Sequence, residues 1–162
     1  MGLLILLLAA LVPMVIGFIW YNPKVMGNAW MAESGMTKEK AEGANMPLVF
    51  GLSFVFACLL SFAMHSMTIH QMGVYSIFNG DKSQLDYIDF MSKYSENFRT
   101  FKHGLFHGII GGLVVALPIL ATNALFERKS FKYIAINAGY WMITLGIMGG
   151  IICQWSPWPG SL

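Results

Sequence analysis

The sequence predicts an all-α, polytopic membrane protein: an antiparallel bundle of four transmembrane helices with a short surface helix in the second loop. Four long apolar stretches carry almost no charge, and each reaches or approaches the ~20 residues with which an α-helix crosses ~30 Å of hydrocarbon. Only 11% of the 162 residues are charged and 56% are hydrophobic. A chain of this composition carries more apolar surface than a soluble core of this length can bury. The net charge of +2 is too small to indicate a nucleic-acid-binding protein. We therefore expect residues 1–162 to form a single transmembrane domain with helices at about 2–21, 47–70, 101–126 and 131–153 and an extramembrane loop at 71–100.

The first predicted helix is a membrane span and not a signal peptide. It has no basic segment before it and no small-residue cleavage site, and its apolar run continues to Trp20. Pro13 predicts a kink that neighbouring helices can accommodate. Trp20, Tyr21 and Trp30 are typical of the aromatic belt at a membrane interface.

The second predicted helix begins with Pro47, which suits a first helical turn because proline lacks an N–H group. The polar loop before it includes a short helix expected near Lys38–Gly43. In the second loop, the spacing of apolar residues within Ser83–Phe98 predicts the surface helix, which would lie on the bilayer or cap the bundle. The tight turn Glu127–Ser130 connects the third and fourth helices.

Basic residues near the ends of the spans predict the orientation. Six lie on the side of the first and third loops: Lys24, Lys38, Lys40, Arg128, Lys129 and Lys132. Four lie in the second loop or just after it: Lys82, Lys93, Arg99 and Lys102. The excess favours cytoplasmic first and third loops and places both termini outside.

Small residues recur at helical spacing in the third and fourth spans. Gly104, Gly108 and Gly112 are four residues apart, and Gly146 and Gly150 repeat the spacing. Such stripes let helix backbones approach closely. The pattern indicates either tight packing within the bundle or a self-association face.

Histidines gather where the second span ends and the third begins. His103 and His107 are four residues apart, a spacing that lets two imidazoles bind one metal ion. Since His65 lies near the end of the second span, it is the expected third ligand, with His70 or Met64 as a further candidate. The pattern predicts a transition-metal or haem site; the alternative is a set of ordinary interfacial histidines that bond to backbone or lipid head groups.

The asparagines and cysteines in the spans give weaker indications of function. Asn123 and Asn137 favour hydrogen bonds between helices, with a polar lining for a solute as the alternative. Cys58 and Cys153 differ too much in predicted depth to form a disulfide, so two free thiols are expected.

Several segments resemble a known family. They are Gly17–Pro23 with its continuation Gly27–Met31, His103–Gly108, Asn123–Arg128 and Asn137–Trp141. Together they resemble DUF1761, small bacterial membrane proteins grouped as a domain of unknown function, and the resemblance covers nearly the whole chain. It implies a four-helix bacterial membrane protein, which we expect in the inner membrane, and it implies no activity, substrate or catalytic residue.

Three functions are compatible with these patterns. The sequence offers no nucleophile–base pair, paired carboxylates or phosphate-binding loop, so we predict no catalytic residue. The first hypothesis is therefore a structural or interaction protein in the lipid bilayer that forms a homo-oligomer or an accessory subunit of a larger membrane complex. The second is a histidine-based metal- or haem-binding protein, and the third is a pathway for a small solute or ion.

Overall fold

The computed structural model describes residues 2–157, and these form helices joined by short turns. Four segments are long and apolar enough to cross a membrane, which agrees with the predicted bundle. They are Gly2–Trp20, Met46–Thr68, Phe101–Phe126 and Phe131–Trp155, called here the first to fourth spans. The chain is therefore a multi-pass membrane protein.

Two of the spans are interrupted beside a proline. The first consists of α1 (Gly2–Ala10) and α2 (Val12–Trp20), with Pro13 in the first turn of α2. Proline cannot donate the helical hydrogen bond and its ring clashes with the preceding turn, so the helix is interrupted where the sequence predicts a kink. The third consists of α8 (Phe101–Gly111), a π-helical turn (Gly112–Ala116) and α9 (Leu117–Phe126), which has a proline in its first turn. The second and fourth spans are the continuous helices α5 (Met46–Thr68) and α10 (Phe131–Trp155).

The fourth span is the centre of the bundle. In its most apolar window 61% of the residues are buried, compared with 11–17% in the other three spans. The other spans therefore pack around α10 and direct most of their apolar side chains outward, where lipid can cover them.

The first and third loops lie on one face of the bundle. The first loop contains a π-helical turn (Pro23–Gly27), α3 (Asn28–Ser34) and α4 (Lys38–Glu42); α4 was predicted, whereas α3 was not. Lys129 donates a hydrogen bond of 2.7 Å to the carbonyl of Ser34, and Lys132 lies 3.3 Å from the carboxylate of Glu33. Since these contacts join the two loops, both lie on the same side of the membrane, as the antiparallel order requires.

The second loop forms two helices on the opposite face. They are α6 (Gln71–Ile77), which was not predicted, and α7 (Leu85–Tyr94), which is the predicted surface helix. The buried amide of Gln71 donates to the carbonyls of Ser95 and Asn97 at 2.8 Å each. These bonds tie the end of α7 to the beginning of α6.

Candidate metal centre

Three histidines come together where the second loop meets the membrane. His70 lies in the turn between the second span and α6, and His103 and His107 lie on the first two turns of the third span. Each offers a ring nitrogen, and the three nitrogens lie within 4.8 Å of one another. These three histidines form the candidate metal site within residues 2–157.

Local structure explains how the histidines meet. The second span ends at Thr68, after which Ile69 adopts an extended conformation (φ −107°, ψ 97°). This break turns the chain so that His70 faces the third span. The third span begins at its cap residue Thr100, whose hydroxyl accepts a hydrogen bond from the backbone N–H of His103.

The three imidazole rings form a compact triangle. Their centroids are 4.4 Å apart for His103–His107, 4.9 Å for His70–His103 and 5.0 Å for His70–His107. The Nε2 atoms of His70 and His103 are 2.9 Å apart, a hydrogen-bond distance that requires one ring to donate and the other to accept.

Aromatic side chains flank this triangle. Phe98 packs against His70 and His103, with centroid distances of 5.8 and 5.1 Å, and Phe106 lies 6.0 Å from His107. Phe98 has a φ of 64°, a left-handed conformation that costs a non-glycine residue roughly 1–2 kcal/mol. Strain of this kind persists only where surrounding contacts impose it.

A buried thiol holds the turn that carries Phe98. Cys153 on the fourth span lies 3.3 Å from the carbonyl oxygens of both Phe98 and Thr68. It therefore connects three elements around the histidines, and it is a free thiol, as predicted. Nearby, Arg99 donates to the carbonyl of Ser156, and partial burial lowers the pKa of its guanidinium; the group remains a cation at neutral pH.

His65 and Met64 lie elsewhere in the fold. The Nε2 atom of His65 is 3.0 Å from the carbonyl oxygen of Pro157, and the ring is buried. Met64 is 2% exposed and belongs to the hydrophobic core. The structure thus brings His70 to the pair on the third span, where the sequence interpretation had put His65. The reason is the break at Ile69, because a helix continued to residue 70 would direct the two side chains differently.

The glycine stripes pack the third span against the fourth. A Cβ atom at Gly104, Gly108 or Gly112 would lie 2.1, 2.0 or 2.6 Å from backbone atoms of the fourth span. On the fourth span, a Cβ at Gly146 would lie 3.0 Å from the side chain of Ile109, and one at Gly150 would lie 2.6 Å from the ring of Phe101. These glycines are therefore used for close contact within the chain.

The two asparagines also differ in their surroundings. Asn137 accepts a hydrogen bond of 2.9 Å from the Tyr21 hydroxyl and donates one of 2.8 Å to the carbonyl of Tyr133. Its bond to Tyr21 joins the first and fourth spans, as an interhelical role predicts. Asn123 is exposed on the outside of the third span.

Comparison with known proteins identifies a family and no activity. The family described as "Protein of unknown function (DUF1761)" matches residues 4–153. No curated protein and no solved structure matches the chain.

Proposed function

We propose that this chain, which belongs to the DUF1761 family, binds one divalent transition-metal ion through His70, His103 and His107. The observation that carries the proposal is the convergence of three ring nitrogens within 4.8 Å. Around a tetrahedral ion with bonds of ~2.0–2.1 Å, ligand nitrogens lie roughly 3.4 Å apart. The separations within the cluster therefore need only small adjustments.

The ligand set indicates which ions suit the site. Imidazole nitrogens bind zinc, copper, nickel and iron well, and a neutral set of three leaves the ion with its full charge. Three protein ligands also leave at least one coordination position open, as in catalytic zinc sites. When bound, the ion would supply Lewis acidity, and the flanking Phe98 and Phe106 would limit the access of water from their side.

Haem suits this cluster less well. The iron of a haem is bound by a histidine above or below the porphyrin plane, so the porphyrin needs open space around the tip of that imidazole. Here the ring centroids are 4.4–5.0 Å apart, so a porphyrin could not enter between them without separating the helices.

Metal analysis of protein purified without a polyhistidine tag tests the proposal. We expect about one equivalent of zinc, or of cobalt after exchange, with a visible spectrum typical of nitrogen-bound Co²⁺. The variant His103→Ala/His107→Ala should lose this ion while remaining folded.

His65→Gln is the matched control, because His65 lies near the same membrane face and contacts the Pro157 carbonyl. It should keep the ion. Metal far below one equivalent in the wild type, or equal retention by the double variant, would leave these histidines as interfacial polar residues.

We also propose that the protein lies in a bacterial inner membrane with both termini in the periplasm. The support is the excess of basic residues in the first and third loops, which the Glu33–Lys132 contact joins on one face. The metal site would then open to the periplasm. Cysteines introduced at Ser34 and Ser130 should react only with reagents that enter the cytoplasm.

The remaining hypotheses stay predictions. Self-association or membership of a larger complex loses the support of the glycine stripes, because these glycines pack the third span against the fourth within the chain. A solute pathway loses the support of Asn137, which bonds Tyr21 and Tyr133. Native mass spectrometry in mild detergent would test the first, and solute flux into vesicles would test the second.

A further inference from the structure

A large crevice separates the beginning of the second span from the first and fourth spans. Its volume is about 630 Å³, within the range of sites that hold small organic molecules. Six of the residues that line it are Phe18, Tyr21, Ser53, Phe56, Tyr140 and Trp141. The crevice shares no lining residue with the histidine cluster and is independent of the metal proposal.

The packing of the second span explains the crevice. All its buried residues lie between Ala57 and Thr68, and its first turns have none. Contact with the first span is secured at Ser61, whose hydroxyl donates a hydrogen bond of 2.7 Å to the carbonyl of Leu6. Before Ala57 the second span has no buried residue, and the space beside Ser53 stays open to the bilayer.

The length of the crevice matches one leaflet of a membrane. Along the second span it extends from Val49 to Leu60, about 16 Å at 1.5 Å per residue. This is roughly half of the ~30 Å hydrocarbon thickness. An acyl chain from the leaflet on the first-loop side would therefore fill it, whereas a longer molecule would extend beyond it.

The mouth of the crevice is polar and adjoins a cation. Asn22 and Pro23 line it at the membrane surface, and the exposed Lys24 follows directly. This face also carries the excess of basic residues that favours the cytoplasmic side. The cytoplasmic leaflet is rich in anionic lipids, which basic sites between membrane helices bind.

We propose that the crevice binds one acyl chain of an anionic phospholipid, with its head group beside Lys24. The chain lies along Phe18, Phe56 and Trp141. The hydroxyl hydrogens of Tyr21 and Tyr140 are donated to Asn137 and to the Pro13 carbonyl. Their oxygens therefore remain available only as acceptors, and the crevice presents a mainly apolar wall.

Filling the crevice tests the proposal. Wild type reconstituted in equal amounts of phosphatidylglycerol and phosphatidylcholine, then extracted in mild detergent, should retain one phosphatidylglycerol in native mass spectra. Ser53→Trp should lower this retention by about tenfold or more, a change equivalent to ~1.4 kcal/mol. Val55→Trp is the matched control, since Val55 is on the same helix, exposed and outside the crevice.

A second filling variant comes from the opposite wall. Gly17 lines the crevice, and a Cβ there would meet the Tyr140 hydroxyl at an ordinary 3.6 Å, so Gly17→Leu extends into the space without a backbone clash. Lys24→Gln should remove the preference for phosphatidylglycerol, whereas Lys40→Gln should keep it. Undiminished retention in both filling variants, or equal retention of the two lipids by wild type, overturns the proposal.

A measurement on the wild type does not depend on whether the filling variants fold. Phosphatidylglycerol with brominated chains should quench tryptophan fluorescence more than brominated phosphatidylcholine does, and Trp141→Phe should remove the difference. Equal quenching by the two lipids in the wild type overturns the proposal.

Discussion

The third and second spans contact the central fourth span in opposite ways. The third meets it backbone to backbone: a Cβ added at Gly104 or Gly108 would lie only 2.1 or 2.0 Å from a carbonyl oxygen of the fourth span. The second joins the bundle from Ala57 onward, and its first half borders a crevice of about 630 Å³. Both spans are strongly apolar, so apolarity does not determine how closely two membrane helices approach.

The size of the residues at the contact explains the difference. Because lipid tails are as apolar as leucine, helices in a bilayer associate through close packing and hydrogen bonds. The third span offers three glycines at intervals of four residues, whereas the second offers Ser53, Ala57 and Ser61 at the same spacing. Only Ala57 and Ser61 of these three are buried. Close packing is thus confined to one half of the second span.

The largest expected effect comes from filling the contact at Gly108. A Cβ there would lie 2.0 Å from the carbonyl oxygen of Leu145, so Gly108→Leu requires the two spans to separate. We expect a loss of about 3 kcal/mol in the free energy of unfolding, the upper end of the usual cost of overpacking. The measurement is the thermal midpoint in mild detergent, together with size-exclusion chromatography.

Gly51→Leu is the control for this prediction, because no atom lies within 4 Å of a Cβ at Gly51 in the second span. It should leave the thermal midpoint nearly unchanged. If Gly108→Leu were as stable as Gly51→Leu, close glycine contact would not be what distinguishes the two spans.

A bound metal ion should reduce the difference between the spans. His70 follows the second span, and His103 and His107 belong to the third. An ion would therefore join the loosely packed second span to the tightly packed pair formed by the third and fourth spans. At a free-ion concentration of 100 times Kd, binding stabilises the folded state by ~2.7 kcal/mol. We expect a higher thermal midpoint and slower hydrogen exchange at residues 69–77.

The stabilisation by the ion should depend on pH. Neutral imidazole binds the metal and protonated imidazole does not, and an ordinary histidine titrates near pH ~6.5. The increase in thermal midpoint should therefore be present at pH 7.5 and largely lost at pH 5.5. An increase that persists at pH 5.5, or in His103→Ala/His107→Ala, would place the ion elsewhere.

A smaller effect is expected at the point where the second span joins the first. Ser61→Ala removes the hydrogen bond to the Leu6 carbonyl, and side-chain hydrogen bonds between membrane helices contribute ~0.6 kcal/mol on average. We expect a slightly lower thermal midpoint and faster hydrogen exchange in the first half of the second span. Ser53→Ala is the control, because Ser53 faces the crevice; equal effects of the two variants would show that the bond does not anchor the span.

The features that could be predicted from the sequence are those encoded by local composition. The four spans follow from apolar length, and the pairing of His103 with His107 follows from helical spacing. The choice between His65 and His70 depends on where the second helix ends. Isoleucine is tolerated in helices, so Ile69 does not mark a helix end in the sequence; in the fold it is extended, next to the Thr68 carbonyl that the Cys153 thiol contacts.

The crevice could not be predicted for a related reason. Ser53, Ala57 and Ser61 share one helix face and would all pack if the second span ran straight alongside the fourth. The angle between helices decides how far along the stripe contact extends, and that angle depends on tertiary packing, which local sequence does not encode. A stripe of small residues indicates where contact can occur and does not indicate where it ends.

The smallest expected effect lies in the first loop, at the contact that joins it to the tightly packed pair. The pKa of the partly buried Glu33 carboxyl is below its ordinary value near 4.5, because the Ser130 hydroxyl and the Lys132 ammonium donate hydrogen bonds to it. Since the folded state favours the carboxylate, this contact stabilises the loop above the ordinary pKa, and the stabilisation is lost as the pH falls through the lower, folded value. Hydrogen exchange of α3 should therefore be slow at neutral pH and increase below pH 4.5 in the wild type, beyond the intrinsic effect of pH on exchange.

Glu33→Gln should show the faster exchange already at neutral pH, while Glu42→Gln on α4 should resemble the wild type. Because exposed ion pairs contribute little, the thermal midpoint should hardly change, and a large decrease in Glu33→Gln would mean that the loop, and not the glycine contact, holds the pair together.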